Sequence, residues 1–457
     1  MSPARVRALE TEVRLIDCRT RLPFRFGAAT VTEAPLVTVR VRADVDGRDS
    51  EGFAADLAMP RWFDKDPAKS LRQNSAELVA GAITAGGALR TAGAGTPFEL
   101  WRHVYRTHEA TVGLVHGFAV SLWERALIDA TCRAKEQPFF EALRSDALGF
   151  RPEAVRPELR DWDLTRSLPE EPLSRVRVRH TIGLVDPLTA DSVAPDHAAR
   201  DGLPESLGED VERYGFRAFK VKIGGDRAAN VERLNELAAF LPTIAGDEWF
   251  VTLDGNEQVA SVEELEATLA ATDPGLLERI LFVEQPFARG ADVVVHELSQ
   301  DVVLDEGDGT LEDFPRALAA GYRGVSVKNC KGVFRALLNR GLCDREGAFQ
   351  TAEDLTNLPV LSLQQDLATV AALGLTHVER NGHHYFHGLD HLPTGEAEDA
   401  LAAHPELYEE QDGTVLLRIE NGELDLSGLQ VPGYGVASRM DFEAREPAES
   451  WLARGES

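Results

Sequence analysis

Two groups of charged residues in the second half of the sequence are of the types that do acid–base and metal chemistry. The first group is three lysines, two of them two residues apart: Lys220, Lys222 and Lys328. The second group is three carboxylates between Lys222 and Lys328: Asp254, Glu284 and Asp305. Three carboxylates close together in a partly buried site repel one another unless a cation neutralises them, and an all-oxygen ligand set suits Mg²⁺. The sequence therefore predicts a divalent cation, Mg²⁺, at these carboxylates.

Lysines beside such a cation point to the removal of a proton next to a carboxylate. The metal and the amines can stabilise the enediolate that forms when a base takes this proton. A lysine acts as the base in its neutral form, which the nearby positive charges of Lys220 and the metal favour at Lys222. Lys328 could then act on the opposite face of the same carbon. We therefore expect Lys222 and Lys328 to be an acid/base pair.

Polar neighbours of the carboxylates are further candidates. Asn256 and Gln285 are neutral side chains close to two of them, and Asn256 could contact the metal or support its ligands. Asp305 is followed by Glu306-Gly307-Asp308. Glu306 or Asp308 could therefore share or replace the role of Asp305.

Eight short β-rich runs, separated by amphipathic stretches, must position these residues. The runs are VRHTIGL, FRAFKVKI, WFVTLDGN, RILFVEQP, DVVLDEG, GVSVKNC, AFQTAEDL and THVERNG. Strands and helices alternating in this number favour a parallel β/α barrel over an open doubly wound sheet, which needs only about five or six strands. Active sites of such barrels lie at the carboxyl ends of the strands, where runs two to six each end in a lysine or a carboxylate. Run six lies across the barrel from run two, so we expect Lys222 and Lys328 to face each other.

The first 145 residues have a different pattern, which predicts an α+β domain. Residues 6–20 and 35–56 alternate apolar and polar side chains as antiparallel strands do, and Asp46-Gly47 is a hairpin signal. Apolar side chains three and four apart then predict helices up to about residue 137. The predicted organisation is an N-terminal domain at 1–145, a linker or insertion at 146–175, a barrel at 176–400, and a tail at 401–457 that returns to the first domain.

The order and spacing of the charged residues resemble those of the enolase superfamily, and within it the mandelate racemase and muconate lactonizing enzyme type. From Lys222 to Lys328 they follow one another at intervals of 32, 30, 21 and 23 residues. The resemblance implies a (β/α)7β-type barrel with a capping domain built from the N-terminal region and the C-terminal tail. In that family the cap closes over the barrel mouth and selects the substrate, which here implies a role for the loops at 23–30 and 58–63. The chain is longer than typical members, mainly through 146–175 and 184–209.

The resemblance also implies roles for the residues already named. These are Mg²⁺ binding by Asp254, Glu284 and Asp305, acid/base catalysis by Lys222 and Lys328, and support of Lys222 by Lys220.

The last two runs add candidates for substrate contact. Run seven ends in Glu353 and Asp354, which could meet the substrate or cap the next helix. Run eight leads into HVERNGHHYFHGLDH, where five histidines cluster, and His383 and His384 could bind an acidic substrate. By contrast, we expect Lys331 to begin a helix and to be solvated.

Composition restricts the partners. Lys plus Arg number 48 and Asp plus Glu 76, which gives a formal net charge of −28 and a field that repels phosphate backbones and anionic lipid. The four cysteines form no CxxC pair, the first residues lack the apolar region of a signal peptide, and no apolar run is long enough to span a bilayer. We expect a cytoplasmic protein that binds a small-molecule carboxylate and neither nucleic acid nor membrane. A symmetric homo-oligomer is the default assembly.

Several reactions are compatible with two opposed lysines. Racemisation or epimerisation needs one lysine to remove the proton and the other to return it, and cycloisomerisation can use the same pair. Dehydration of a hydroxy or sugar acid needs one base and one general acid. Two hypotheses of other classes are an aldolase-type barrel, in which Lys222 or Lys328 forms a Schiff base, and a non-catalytic binding relative.

Overall fold

The computed structural model describes residues 2–26, 29–107, 113–194 and 198–455. Gly27 and Ala28, in the predicted loop at 23–30, lie outside the described residues, as do residues 195–197 of the segment 184–209.

An antiparallel sheet opens the chain because its strands alternate apolar and polar side chains. It contains β1 (Val6–Phe26), β2 (Ala29–Val45) and β3 (Arg48–Leu57), paired in sequence order. In β2, Val39 and Val41 are fully buried and alternate with half-buried Arg40 and Arg42. Strands β2 and β3 are joined at Asp46-Gly47, where φ is 51° and 82°, as a tight two-residue hairpin turn requires. The predicted hairpin is confirmed.

Helices cover this sheet. They are α1 (Leu71–Thr91), α2 (Pro97–Thr107), α3 (Leu114–Ala134) and α4 (Phe139–Arg144), with the short strand β4 (Ala94–Gly95) between α1 and α2. Helix α3 is buried along almost its whole length, between β3 and α1. Glycine allows both close approaches, since a Cβ at Gly52 would lie 2.0 Å from the Ala126 carbonyl oxygen and one at Gly86 would lie 2.5 Å from the Trp123 ring.

Eight parallel strands form the barrel, and the first pairs with the last, so the ring is closed. They are β5 (Arg175–Ile182), β6 (Ala218–Lys222), β7 (Phe250–Asp254), β8 (Ile280–Glu284), β9 (Val302–Leu304), β10 (Gly324–Val327), β11 (Phe349–Ala352) and β12 (His377–Arg380). Most are short and almost wholly buried, as expected of parallel strands covered by helices. The predicted barrel fold with an N-terminal antiparallel sheet is confirmed.

Helices surround the strands and fill the connections between them. They are α5 (Leu164–Ser167), α6 (Leu207–Tyr214), α7 (Arg227–Ala245), α8 (Val262–Ala270), α9 (Pro274–Leu277), α10 (Asp313–Ala319), α11 (Val333–Glu346), α12 (Leu361–Leu373), α13 (Gly382–Tyr385) and α14 (Glu396–Ala403). Across the described ranges, every helix is too short or too polar to cross a bilayer.

The C-terminal tail returns to the barrel as well as to the first sheet. Its elements are β13 (Tyr408–Gln411), β14 (Thr414–Leu417), β15 (Glu423–Asp425), β16 (Glu446–Pro447) and α15 (Ala448–Ala453). Strand β16 pairs with β1, as a tail that returns to the cap requires. Strands β13 and β14 pair with each other, and β15 pairs with the first residues of β5, which is the longest barrel strand.

Candidate active site

The structure places all six charged residues predicted for the site at the carboxyl ends of five consecutive barrel strands. Lys220 and Lys222 end β6, Asp254 ends β7, Glu284 ends β8, Asp305 follows β9 and Lys328 follows β10. All six are buried. Lys222 pairs with Asp254 and Asp254 with Glu284 in the parallel register, so neighbouring strands present these side chains at one level.

Lys220 is the centre of a four-carboxylate cluster. Its Nζ lies 2.9 Å from Asp254 Oδ2, 2.7 Å from Glu284 Oε2, and 2.9 Å from Oε2 of both Glu353 and Glu379. Burial alone disfavours the ammonium, but these carboxylates outweigh burial and raise the pKa of Lys220 well above its usual value. The carboxylates also offset its positive charge, so the repulsion of Lys222 expected from the sequence is weakened. Lys220 therefore acts mainly as the counter-ion that holds the acidic side chains together.

The other two lysines each contact a different carboxylate. Lys222 Nζ donates to Asp254 Oδ2 at 2.6 Å, and Lys328 Nζ donates to Asp305 Oδ2 at 2.6 Å. Lys328 also lies over the ring of Trp62, 4.6 Å from its centroid. Burial disfavours the charged form of Lys328, but Asp305 outweighs it and raises the pKa of this lysine.

Lys222 and Lys328 line one cavity between the barrel and the first domain, which is partly open to solvent and has about 340 Å³ of empty space when that opening is included. The barrel contributes polar groups to its wall, among them Asn256 and Glu379. The N-terminal domain contributes an apolar wall of Phe24, Met59 and Trp62. These three residues lie in or beside the predicted loops at 23–30 and 58–63.

Two carboxylates in this mouth have oxygens without a hydrogen bond. Both carboxylate oxygens of Glu284 and Oε2 of Glu306 are buried and accept no hydrogen bond from any residue that the structure describes, since the close contact of Glu284 with Lys220 lacks hydrogen-bond geometry. Burial and the neighbouring carboxylate Asp254 raise the pKa of Glu284, and burial and Asp305 raise that of Glu306. Carboxylate oxygens that accept no hydrogen bond, in a buried acidic cluster, fit the requirements of a divalent cation.

Asn256 and Glu306, predicted as possible ligands or supporting groups, are part of the same arrangement. Asn256 Nδ2 lies 3.3 Å from Asp254 Oδ2 and donates to Glu306 Oε1 at 3.0 Å. Asp305 instead uses its oxygens for Ser326 and Lys328. Asp308 does not join these residues, since its carboxylate contacts Lys331 and, in α11, Asn339.

Lys331 is not solvated, so that prediction is wrong. It is buried, its Nζ donates to Ser326 Oγ at 2.8 Å, and it lies 3.2 Å from Asp308 Oδ2. The reason is a short 3-10 turn, Asn329–Lys331, which follows β10 and directs the lysine back under Asp305.

The seventh and eighth strands of the barrel, β11 and β12, provide the remaining acidic groups. Glu353 pairs with Arg179 of β5 and with Lys220. Asp354 lines the cavity, and its Oδ1 accepts from the backbone N–H of Asn357 at 2.7 Å. Sequence reasoning missed Arg179 and Glu379. Each is a charged residue inside a strand that was predicted to be buried, and this was an available signal for both.

His383 and His384 do not line the cavity with the lysines. Both lie outside the ring of strands: His383 Nε2 is 3.1 Å from His180 Nδ1, and His384 Nδ1 is 2.9 Å from Asp210 Oδ2. Burial lowers the pKa of His180 to about 4, so this ring is neutral near pH 7. The structure therefore separates the predicted histidines from the rest of the predicted site.

Contacts across the domain boundary hold the apolar wall in place. Arg289, from the loop after β8, donates to the backbone oxygens of Trp62 at 3.0 Å and of Phe63 at 3.2 Å. The Glu257 carboxylate lies 2.8 Å from the Arg289 guanidinium and orients it. These bonds fix Trp62 over Lys328.

Solved structures of low sequence identity share this fold over nearly their whole length. An enolase from Streptomyces coelicolor is 17% identical, with 99% of this chain and 98% of that chain covered and a TM-score of 0.64. A muconate lactonizing enzyme from Mycobacterium smegmatis, complexed with muconolactone, is 19% identical, with 96% and 98% covered and a TM-score of 0.63. An enolase from Bradyrhizobium, complexed with magnesium and mandelic acid, is 17% identical, with 99% of each chain covered and a TM-score of 0.60. A comparison with curated proteins found no match.

The family evidence comes from the barrel. The profile of the family described as "Enolase C-terminal domain-like" matches residues 203–442, more than half of the chain. The matched range contains all of the lysines and carboxylates described above. The chain therefore belongs to the enolase C-terminal domain-like family and is an enzyme of the enolase superfamily, of mandelate racemase and muconate lactonizing enzyme type.

Proposed function

We propose that this protein is a Mg²⁺-dependent enzyme that abstracts the α-proton of a small carboxylate substrate and stabilises the resulting enediolate. The overall reaction we propose is racemisation, epimerisation or cycloisomerisation. The observation that carries the proposal is that Lys222 and Lys328, from opposite sides of the barrel, line one cavity beside carboxylates whose oxygens lack hydrogen bonds among the described residues. A proton can thus be removed and returned on two faces of one carbon.

The residues present fit a divalent cation. Asp254, Glu284 and Asp305 would hold it, and Glu306 adds an unpaired oxygen next to them. Mg²⁺ bound there supplies Lewis-acid stabilisation of the negative charge that develops on the substrate carboxylate.

The lysines carry the proton transfers. The neutral amine of one lysine takes the proton from the α-carbon and becomes an ammonium, while the C–H electron pair passes into the carboxylate. The ammonium of the other lysine returns a proton to the opposite face of that carbon. Lys222 contacts Asp254 and Lys328 contacts Asp305, so the two amines have separate counter-ions.

The walls of the cavity support a substrate with two unlike ends. The carboxylate end would face the polar barrel side, and an apolar substituent would pack against Phe24, Met59 and Trp62. Mandelic acid and muconolactone, the ligands of two of the similar structures, are small molecules of this general kind. A cytoplasmic location and a homo-oligomeric state stay predictions.

Solvent deuterium exchange tests the proposed reaction. We expect the purified protein in D₂O with Mg²⁺ to incorporate deuterium at the α-carbon of at least one member of a library of small carboxylates with apolar substituents. Mass spectrometry and chiral chromatography would detect the label and any inversion. Chelation of the metal should stop the exchange.

Other outcomes of the same assay identify the alternatives. Loss of water from the substrate would indicate a dehydratase on the same site. A borohydride-trapped adduct on Lys222 or Lys328 would indicate Schiff-base chemistry. Absence of exchange from the whole library, with Mg²⁺ bound, would contradict the proposed proton abstraction.

A further inference from the structure

A second cluster of metal-ligating side chains lies where the ring of strands closes. His180 is in β5, between Arg179 and Thr181, which both point into the barrel, so His180 points outward. Asp210 comes from α6 and His383 from α13, directly after β12. Strands β5 and β12 are the pair that closes the barrel. The cluster thus connects the first barrel strand, the segment after the last barrel strand, and the covering helix α6.

The three side chains are close enough to share an ion. One ligand atom from each of His180, Asp210 and His383 lies within 4.8 Å of the others. His180 Nδ1 is 3.1 Å from His383 Nε2, and His180 Nε2 is 3.5 Å from Asp210 Oδ2. These two contacts use different nitrogens of His180, whereas an ion takes one of them. Ligand atoms around a tetrahedral Zn²⁺ with bonds of about 2.0 Å are roughly 3.3 Å apart, so binding requires the imidazoles to turn toward one common point.

The cluster also contains buried polar atoms that lack hydrogen bonds. Within the described part of the chain, neither oxygen of Asp210 accepts a hydrogen bond of good geometry, and His383 Nδ1 has no hydrogen-bond partner. Among the described residues, the basic groups within 4 Å of the Asp210 carboxylate are the imidazoles of His180 and His384. His384, with Nδ1 2.9 Å from Asp210 Oδ2, is the nearer basic partner of this buried carboxylate, and a bound cation would be a further one.

We propose that His180, Asp210 and His383 form a transition-metal site, with Zn²⁺ as its natural occupant. Two imidazoles and one carboxylate are a nitrogen-rich set that suits Zn²⁺ and does not suit Mg²⁺, which prefers oxygen. His384, 2.9 Å from Asp210 Oδ2, is the outer partner that orients the carboxylate. The role of the ion is to link β5 with the segment that follows β12, where these two strands close the barrel.

This site is separate from the proposed Mg²⁺ site. Its ligands lie outside the ring of strands and do not line the cavity that contains Lys222 and Lys328. The two sites can therefore be occupied at the same time, and loss of one leaves the ligands of the other intact.

A cobalt titration of the full chain tests the proposal. The purified protein would be stripped with a chelator, dialysed into excess Mg²⁺ and titrated with Co²⁺, whose visible spectrum reports coordination. We expect the intense bands of a four- or five-coordinate nitrogen-containing site, displaced by about one equivalent of Zn²⁺. Only the weak bands of octahedral Co²⁺, or no binding, in the wild type would overturn the proposal whatever the variants do.

Variants assign the site to its ligands. His180→Gln and His383→Gln should weaken Zn²⁺ binding by more than about 100-fold, since loss of an outer partner alone costs roughly 10–100-fold. His387→Gln is the matched control, because His387 is in the same segment but contacts Asp390 at 2.6 Å. Zn²⁺ should raise the melting temperature of the wild type and of His387→Gln but not of His383→Gln.

The result is independent of the catalytic proposal. Glu284→Gln should bind Zn²⁺ as the wild type does, even if it loses Mg²⁺. Circular dichroism of each metal-free variant would establish that it is folded. Folded His180→Gln and His383→Gln proteins that bind Zn²⁺ with wild-type affinity would overturn the assignment of the ligands.

Discussion

Replacement of Lys328 with alanine is expected to abolish deuterium exchange on one face of the substrate α-carbon and to leave exchange on the other face measurable. Lys222→Ala should show the reciprocal loss. The reason is that the two amines reach the same cavity from opposite strands and each serves one face. A positioned general acid or base contributes roughly 10²–10⁴-fold to a proton transfer, and we expect each variant to lose a factor of that order on its own face. Nuclear magnetic resonance of each substrate enantiomer in D₂O would measure the two rates.

A surface lysine provides the control for these variants. Lys135 is partly exposed, contacts Asp46 of the β2–β3 turn at 2.6 Å and does not line the cavity, so Lys135→Ala should exchange at the wild-type rate on both faces. Equal survival of exchange on both faces in Lys328→Ala would remove Lys328 from the mechanism. Loss on both faces in either variant would assign both transfers to one lysine.

Replacement of Lys220 with methionine is expected to destabilise the protein strongly. Four carboxylates, all buried, lie within 2.9 Å of Lys220 Nζ, and the neutral variant leaves them without that counter-ion. Removing one partner of a buried ion pair costs about 3–5 kcal/mol, so the free energy of unfolding should fall by at least that amount at pH 7. Urea denaturation in the absence of divalent metal would measure it.

Lys65→Met is the matched control for this prediction. Lys65 also contacts a carboxylate, that of Glu257, but the lysine side chain is 37% exposed and Glu257 keeps Arg289 at 2.8 Å as a second partner. The loss should therefore stay near the range of about 0–1 kcal/mol for exposed pairs. A loss in Lys220→Met as small as that in Lys65→Met would contradict the role of Lys220 as the central counter-ion.

The sequence was sufficient to predict the strand-end residues because parallel strands of a barrel end at one rim. Alternation along β6 placed both Lys220 and Lys222 inside, and the order of Asp254, Glu284, Asp305 and Lys328 followed the order of the strands. These features depend only on the alternation of side chains along a strand and on the order of the strands in the chain. They do not depend on how distant elements pack.

Other features of the site depend on packing between distant elements and could not be predicted. The charge balance at Lys220 requires Glu353 and Glu379, which are 133 and 159 residues away along the chain. The burial of Lys331 depends on a 3-10 turn in place of a helical start. The histidines after β12 turn away from the cavity because α13 packs them against His180 and Asp210.

The central claim, a divalent cation at the strand-end carboxylates, is tested most directly by Mg²⁺ titration of the wild type, Glu284→Gln and Glu353→Gln by calorimetry. Both variants remove one carboxylate from Lys220, but of these two residues Glu284 is the one whose oxygens accept no hydrogen bond from the described residues. We predict that the wild type and Glu353→Gln bind Mg²⁺ and that Glu284→Gln binds it at least about 100-fold more weakly, beyond the effect of an outer-partner loss. A wild type that binds no Mg²⁺, or a Glu284→Gln variant that binds it as tightly as the wild type, would contradict the account.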